Sequence, residues 1–353
     1  MNEMKMKRIK FLLLVVCMLI LAGCTSGKST NSSQEATNGG NEETSSGTKA
    51  EYQYSKTLVK KETIDGKMAV YFLRGDYALT DKDGNEVPTG EATLLVAPDG
   101  TTMLVDFQDS MINGAYIAEV LEKLGIKKLD YVVLTSPHAE HLGGYSIVMH
   151  TVEIGQIITN HHVTSNISYR NLMEAASENK IPVSNVFEGD TFTFGSDVQV
   201  EVFNPAKEYG EWKNDEAQRN GSLLLKFTYN QSSFLIGGDL TATMEEQLIA
   251  KHGEKLQSDV VKMNNQGSKD SNSKEWISAV GAKIAVGERN LVENDIVVGR
   301  YAMRSDATLH TAIDGTCLVY TTGDGSYEVQ VEKDRIGDTY LALEAEKGYF
   351  KVQ

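Results

Sequence analysis

The residues best suited to chemistry fall in one run, Leu134-Thr135-Ser136-Pro137-His138-Ala139-Glu140-His141-Leu142-Gly143-Gly144. Two imidazoles and a carboxylate within four positions suit a divalent ion such as zinc, manganese or iron. Surface loops also collect His and Glu, so the spacing alone leaves a metal site and an ordinary loop both open.

Elements on either side must hold this run in place. Leu129 to Leu134 is apolar apart from Asp130 and reads as a buried strand, and the paired glycines lead toward a helical pattern. A strand end fixes side chains more rigidly than a free loop. Ahead of it, Asn113 to Leu124 carries Ile117, Val120, Leu121 and Leu124, the stripe of an amphipathic helix, stopped by Gly125. Further upstream, Lys67 to Arg74, Glu91 to Ala97 and Thr101 to Asp106 read as strands, with turns at Asp83-Gly84-Asn85 and Pro98-Asp99-Gly100. Downstream, Ile154 to Thr159 reads as a strand, Tyr169 to Asn179 as a helix and Thr191 to Phe203 as a hairpin about Gly195-Ser196-Asp197. Glu275 to Val280 reads as a helix, Lys283 to Gly287 as a strand and Cys317 to Val329 as a hairpin. Thr339 to Leu343 with Tyr349 to Val352 suggest a terminal hairpin. His161 and His162 follow a strand and read as solvent-exposed loop residues.

The chain divides into three segments. In residues 1 to 24, Lys5, Lys7, Arg8 and Lys10 precede an apolar run from Phe11 to Ala22, too short for a bilayer span of about 20 residues. The run closes with Leu21-Ala22-Gly23-Cys24, which resembles a bacterial lipoprotein signal; lipidation of Cys24 would anchor the mature chain to the outer face of the cell membrane. Residues 25 to 50 contain nothing apolar larger than Ala and read as a disordered spacer. Residues 51 to 353 then read as one α/β domain without a second linker or repeat. With Cys17 in the signal and Cys24 lipidated, Cys317 alone is left, so no disulfide forms within the domain.

The formal net charge is −15, and the signal holds four basic residues against Glu3, so the mature chain is more acidic still. No Lys/Arg run follows the signal. That balance argues against nucleic acid, whose affinity rests on phosphate contacts. Protein partners are not named by the sequence.

The run at 134 to 144 resembles the metallo-β-lactamase signature His-x-His-x-Asp-His followed by Gly-Gly, with Ser136 in place of the first His and Glu140 in place of the Asp. Further landmarks follow in the family's order, and the hydrolase domain of ComEC-type competence proteins is the nearest pattern. Gly90-Glu91-Ala92 stands where a Gly-x-Gly-Asp-Ala segment belongs, after an inserted polar hairpin, and Asp106-Phe107-Gln108 stands for Asp-x-Gly without its glycine. Asn220-Gly221-Ser222 resembles Asn-x-Ser before a buried strand, Gly237-Gly238-Asp239 resembles Thr-Gly-Asp, and Lys262 to Ser268 follows Lys-x-x-His-His-Gly-Ser without either His. The resemblance covers roughly 67 to 329. It implies an αββα sandwich, two facing sheets with helices outside, and an active-site edge built from these loops.

It also implies roles. In an intact relative, metals held by His and Asp lower the pKa of bound water so that hydroxide attacks an ester or amide. Asp239 takes the position of the carboxylate that bridges two metals. Ser136 and Asn265 are poor replacements for imidazole on zinc, so one half-site keeps only His138 and Asp239, its remaining His being sought near Gln218 and Asn220. The other keeps Glu140, His141 and Asp239, a set compatible with one zinc, manganese or iron ion. Two function classes remain open: an envelope binding module with a degenerate site, and a mononuclear metal-dependent hydrolase of phosphodiesters or related esters in which Asp239 and Glu140 serve catalysis.

Overall fold

The computed structural model describes residues 52–54, 64–75, 89–160, 162, 164–210, 214–292 and 294–333. The lipoprotein-type signal with Cys24, the spacer, the insert at Asp83 and the terminal hairpin all lie outside them.

Sixteen strands form two sheets among the described residues. The first contains β1 (Tyr52–Tyr54), β2 (Met68–Phe72), β3 (Thr93–Val96), β4 (Thr102–Val105), β5 (Lys128–Val133), β6 (Glu153–Thr159), β7 (Val183–Asn185), β15 (Cys317–Thr321) and β16 (Glu328–Val331). Their order is β1-β16-β15-β2-β3-β4-β5-β6-β7. The second contains β8 (Thr191–Phe194), β9 (Val198–Asn204), β10 (Leu224–Tyr229), β11 (Ser232–Gly237), β12 (Val260–Lys262), β13 (Ile284–Gly287) and β14 (Ala307–His310), ordered β14-β13-β12-β11-β10-β9-β8. Each sheet is antiparallel in its meander and parallel where helices make the crossovers, at β4 to β7 and β11 to β14.

Alternation along the strands explains the layering. In β2, Met68, Val70 and Phe72 enter the core between the sheets, while Ala69 and Tyr71 face the opposite way into an outer helical layer. Being buried on both faces, such strands are apolar throughout rather than alternating. On the second sheet, Phe234 and Ile236 join the inner core and Leu235 the outer one. Helices α1 (Met111–Lys123), α2 (Tyr145–Thr151) and α3 (Ile167–Glu178) cover the first sheet. Helices α5 (Ala242–His252), α6 (Lys274–Val280) and α7 (Asp295–Ala302) cover the second, and α4 (Asp215–Asn220) is a short helix between β9 and β10. The layers are those of the αββα sandwich implied by the landmark order.

Individual elements match the sequence reading closely. α1 begins at Ser110, whose hydroxyl accepts the Asn113 amide at 3.3 Å, and buries Ile117, Val120 and Leu121. Asp130 is tolerated in β5 because its carboxylate accepts the Thr102 amide at 3.0 Å and pairs with Lys128. His162 corrects one expectation: it is buried, its ring edge-on to Tyr169 of α3 at 5.4 Å.

Candidate metal centre

The loops at the carboxyl ends of β4, β5, β11 and β12, together with α4, converge on one edge of the sandwich. The His-bearing turn is stitched to the loop after β4: the Gly143 amide donates to Gln108 O at 2.7 Å and the Gly144 amide to Phe107 O at 3.1 Å. Gly143 lies so close to the Asp109 backbone that a Cβ would overlap it. Gln108, where the resemblance expects glycine, holds φ at +63° and anchors its amide by donating to Leu73 O at 3.1 Å. A non-glycine residue there costs of order 1 kcal/mol.

Asp106, also at positive φ, organises the turn. Its Oδ1 accepts the Thr135 amide at 2.9 Å, and its Oδ2 accepts the Thr135 hydroxyl at 2.5 Å and faces His141 Nδ1 at 2.8 Å. The other His141 nitrogen, Nε2, lies 3.0 Å from Asp239 Oδ2. Ser222 holds Asp239 from behind, its hydroxyl accepting the Asp239 amide at 3.1 Å. His138 stands beside them, with Nδ1 2.8 Å from Ser136 Oγ and Nε2 3.1 Å from Asp215 Oδ1.

The expected ligands are thus brought to one edge, in a different grouping. Donor atoms of His138, Glu140 and Asp239 lie within 4.8 Å of one another, whereas His141 groups with Glu91 and Asp106. Ser136 and Asn265 reach the same edge but serve as hydrogen-bonding groups. Asn265, at φ +46°, presents its Oδ1 to an arginine.

That arginine was missed in the sequence. Arg219 lies between Gln218 and Asn220, where the missing His was sought, and its guanidinium enters the site. Nη1 donates to Asp239 Oδ2 at 3.0 Å and to Asn265 Oδ1 at 2.8 Å, Nε donates to Asp215 Oδ2 at 2.8 Å, and Nη2 is 3.6 Å from Glu140 Oε1. The neighbours on either side do other work. Asn220 Oδ1 accepts the amide and hydroxyl of Thr241 at the start of α5, and Gln218 Oε1 accepts from Thr164. The available signal was Asp215 and Arg219 four apart in a segment capped by Asn214.

A second buried charge layer lies beneath. Lys262, buried, pairs with Glu91 at 2.6 Å and donates to Gly237 O at 2.8 Å. Glu288 accepts the Leu73 and Ala92 amides and the Thr93 hydroxyl. Burial pushes the Glu288 carboxyl up to about 8 and the Glu91 carboxyl up to about 7, with Lys262 opposing both. Burial favours a neutral His141 ring, but Asp239, Asp106 and Glu91 outweigh it and hold the imidazolium well above its usual range. Burial likewise favours a neutral Asp239, yet His141, His138 and Arg219 hold it ionised far below the ordinary carboxylate range.

One imidazole and two carboxylates are a donor set that zinc, manganese or iron accepts in kind. In this arrangement an ion would compete with Arg219 for Asp239 and with Asp215 for His138. His141 keeps the geometry of a ligand, with Nδ1 on the supporting Asp106 and Nε2 toward Asp239. Asp239 Oδ2 already meets Arg219 and His141.

Above the site opens a cavity of about 670 Å³, bordered by Glu140, Asp215, Arg219, Asn265, Asp270 and Arg289 among others.

No family model matches the sequence. ComE operon protein 3 of Bacillus subtilis (strain 168) is 26% identical over 162 residues, 46% of this chain and 20% of that protein, so the chain spans about a fifth of that relative's length. Among solved structures, the metallo-β-lactamase fold protein YhfI of Bacillus subtilis aligns over 69% of this chain and 95% of its own at 12% identity and TM-score 0.44. The diiron β-hydroxylase CmlA of Streptomyces venezuelae aligns over 70% of this chain and 53% of its own, at 12% identity and TM-score 0.41. Two facing sheets between helical layers, with the His138 to Gly144 turn at their edge, give this chain the metallo-β-lactamase fold, and part of its length is similar in sequence to ComE operon protein 3.

Proposed function

We propose that the chain is an extracytoplasmic, membrane-anchored binding module built on the metallo-β-lactamase fold, with the hydrolytic metal chemistry of that fold lost. The observation that carries this reading is the engagement of all four imidazole nitrogens of His138 and His141 by side chains of the protein itself. Ser136 and Asn265 support it, since each contributes hydrogen bonds where an imidazole would be needed. A cavity lies over the site. Its polar border suits a ligand rich in hydrogen-bonding groups, and the acidic chain disfavours nucleic acid.

The test is elemental analysis of the purified chain together with turnover of a generic chromogenic phosphodiester. Substoichiometric metal and no hydrolysis are expected. One equivalent of metal with turnover, both lost in Asp239→Ala, would replace this reading with the mononuclear hydrolase. One observation favours that second reading: Asp239 Oδ1 is buried and has no hydrogen-bond partner. The anchor is tested separately. Wild type should partition with membranes and take up acyl label, and Cys24→Ala should do neither; unlabelled wild type in the medium overturns the anchor.

A further inference from the structure

A metal site and the site described above share one electrostatic requirement. Asp239 is wholly buried, and Glu140 and Asp215 flank it, so carboxylates converge on a small volume and need a cation among them. In a metalloenzyme the ion supplies that charge.

We propose that in this chain the guanidinium of Arg219 supplies it, as a covalently attached resident cation that ties Asp239, Glu140, Asp215 and Asn265 together and shuts divalent ions out. The inference rests on the metal-free reading and explains how that state is maintained.

Three observations bear on it. The first is the contact set: Nε and Nη1 donate to Asp215, Asp239 and Asn265, and Nη2 lies beside Glu140. A planar fork of donors matches such a spread of oxygens, which a lysine ammonium would not. The second is stereochemical. A divalent ion must come within roughly 2.2 Å of its carboxylate oxygens, yet Asp239 Oδ2 already faces Nη1 at 3.0 Å and His141 Nε2 at 3.0 Å. An ion at that oxygen would have to compete with both, and only Oδ1 is left without a partner. The third is support from the fold. Asn214 caps α4 by accepting the Ala217 amide at 2.8 Å, and Asn220 pins its far end to Thr241, so the helix delivers Arg219 from two fixed points. Arginine stays charged at every accessible pH. The positive charge at this position therefore does not depend on the supply of metal.

If Arg219 is what excludes the ion, removing it leaves His138, Glu140, Asp239 and Asp215 around a vacancy that a divalent cation can fill. The experiment is titration of the full detergent-solubilised chain with Co²⁺, read by visible absorption and by the shift in melting temperature. Wild type should bind no Co²⁺ at this site. Arg219→Ala and the bulkier, neutral Arg219→Gln should each bind one equivalent at least tenfold more tightly than wild type, with melting temperatures lowered in chelator and raised by Co²⁺. Asp239→Ala added to Arg219→Ala should abolish the gain, and Arg219→Lys should keep Co²⁺ out. Should wild type and both neutral variants fold yet bind no Co²⁺, Arg219 is not the excluding group, although the binding-module reading stands. Should wild type itself bind one equivalent in a manner that requires Asp239, both are overturned.

Discussion

Arg219 Nη1 and His141 Nε2 meet on one atom, Oδ2 of Asp239, each at 3.0 Å. A buried carboxylate between two cationic groups is stabilised only while both remain, and removal of its charge sets guanidinium against imidazolium. Asp239→Asn should therefore cost on the order of 3–5 kcal/mol, the range for stripping one partner from a buried pair. Glu140→Gln, at the half-exposed rim, should cost less than about 1 kcal/mol. Urea denaturation of both variants checks the contrast, and equal losses would mean that Asp239 does not carry the network.

The buried charge layer predicts the pH dependence of stability. A carboxyl whose folded pKa is raised binds more protons folded than unfolded, so its contribution is fully present below the unfolded value near 4.5 and is lost as pH rises toward the folded one. That value is about 8 for Glu288 and about 7 for Glu91. His141, raised above 6.5, acts in the same direction, its contribution lost as pH rises through its folded value. Asp239 acts oppositely and only in acid, losing its contribution as pH falls below 3.8 through its lowered value. Stability should thus peak near pH 4–5 and fall toward pH 8. Glu288→Gln keeps an oxygen for the Leu73 and Ala92 amides while removing the charge, and should flatten the decline. The urea midpoint measured from pH 5 to 8 checks this; a midpoint that rises with pH in wild type would refute the buried layer.

Much of this could be read from sequence, and the limits have physical causes. The layers were legible because Met68 to Phe72, Leu129 to Leu134 and Phe234 to Ile236 are apolar runs of strand length, and α1 carries a clear helical stripe. The landmarks around Glu140 and Asp239 marked the edge where the loops gather. Which side chains face each other across that edge was not legible, because α4 is too short to show a period and nothing local reveals that Arg219 points inward. Grouping Glu140 with His141 followed the resemblance, in which the neighbouring Asp and His serve one metal. In the structure the one-residue step turns His141 down toward Asp106, while Glu140 stays beside His138. His162 was misread because a residue just after a strand carries no periodic pattern to show that its ring packs on Tyr169 seven residues later.

The paired glycines give a test of how tightly the turn is held. At Gly143 a Cβ would run into the Asp109 carbonyl and the Ser110 amide, both backbone atoms with little room to yield. Gly143→Ala should shift the loop after β4 away from the turn and cost about 1–3 kcal/mol, as overpacking does. Gly100→Ala, a control with open space around it but positive φ, carries only backbone strain of about 1 kcal/mol. Thermal unfolding of the pair distinguishes them, and equal shifts would mean that the turn and the loop are not in contact.

Placing imidazoles at the two positions where the resemblance expects them gives the last prediction. Ser136 Oγ lies 2.8 Å from His138 Nδ1, and Asn265 Oδ1 lies 2.8 Å from Arg219 Nη1, so both replaced positions point into the site. Ser136→His with Asn265→His would supply the ligands that zinc prefers, but the second substitution sets an imidazole against a fixed guanidinium. The double variant alone should gain little metal, because Arg219 still occupies Asp239 Oδ2. Added to Arg219→Ala, the same two substitutions should tighten zinc binding beyond Arg219→Ala alone by roughly tenfold or more per imidazole, the scale on which ligand-shell changes move affinity. Zinc titration across the four backgrounds measures the coupling. Full restoration by the double variant with Arg219 intact would show that the ligands, and not the resident cation, were the missing part.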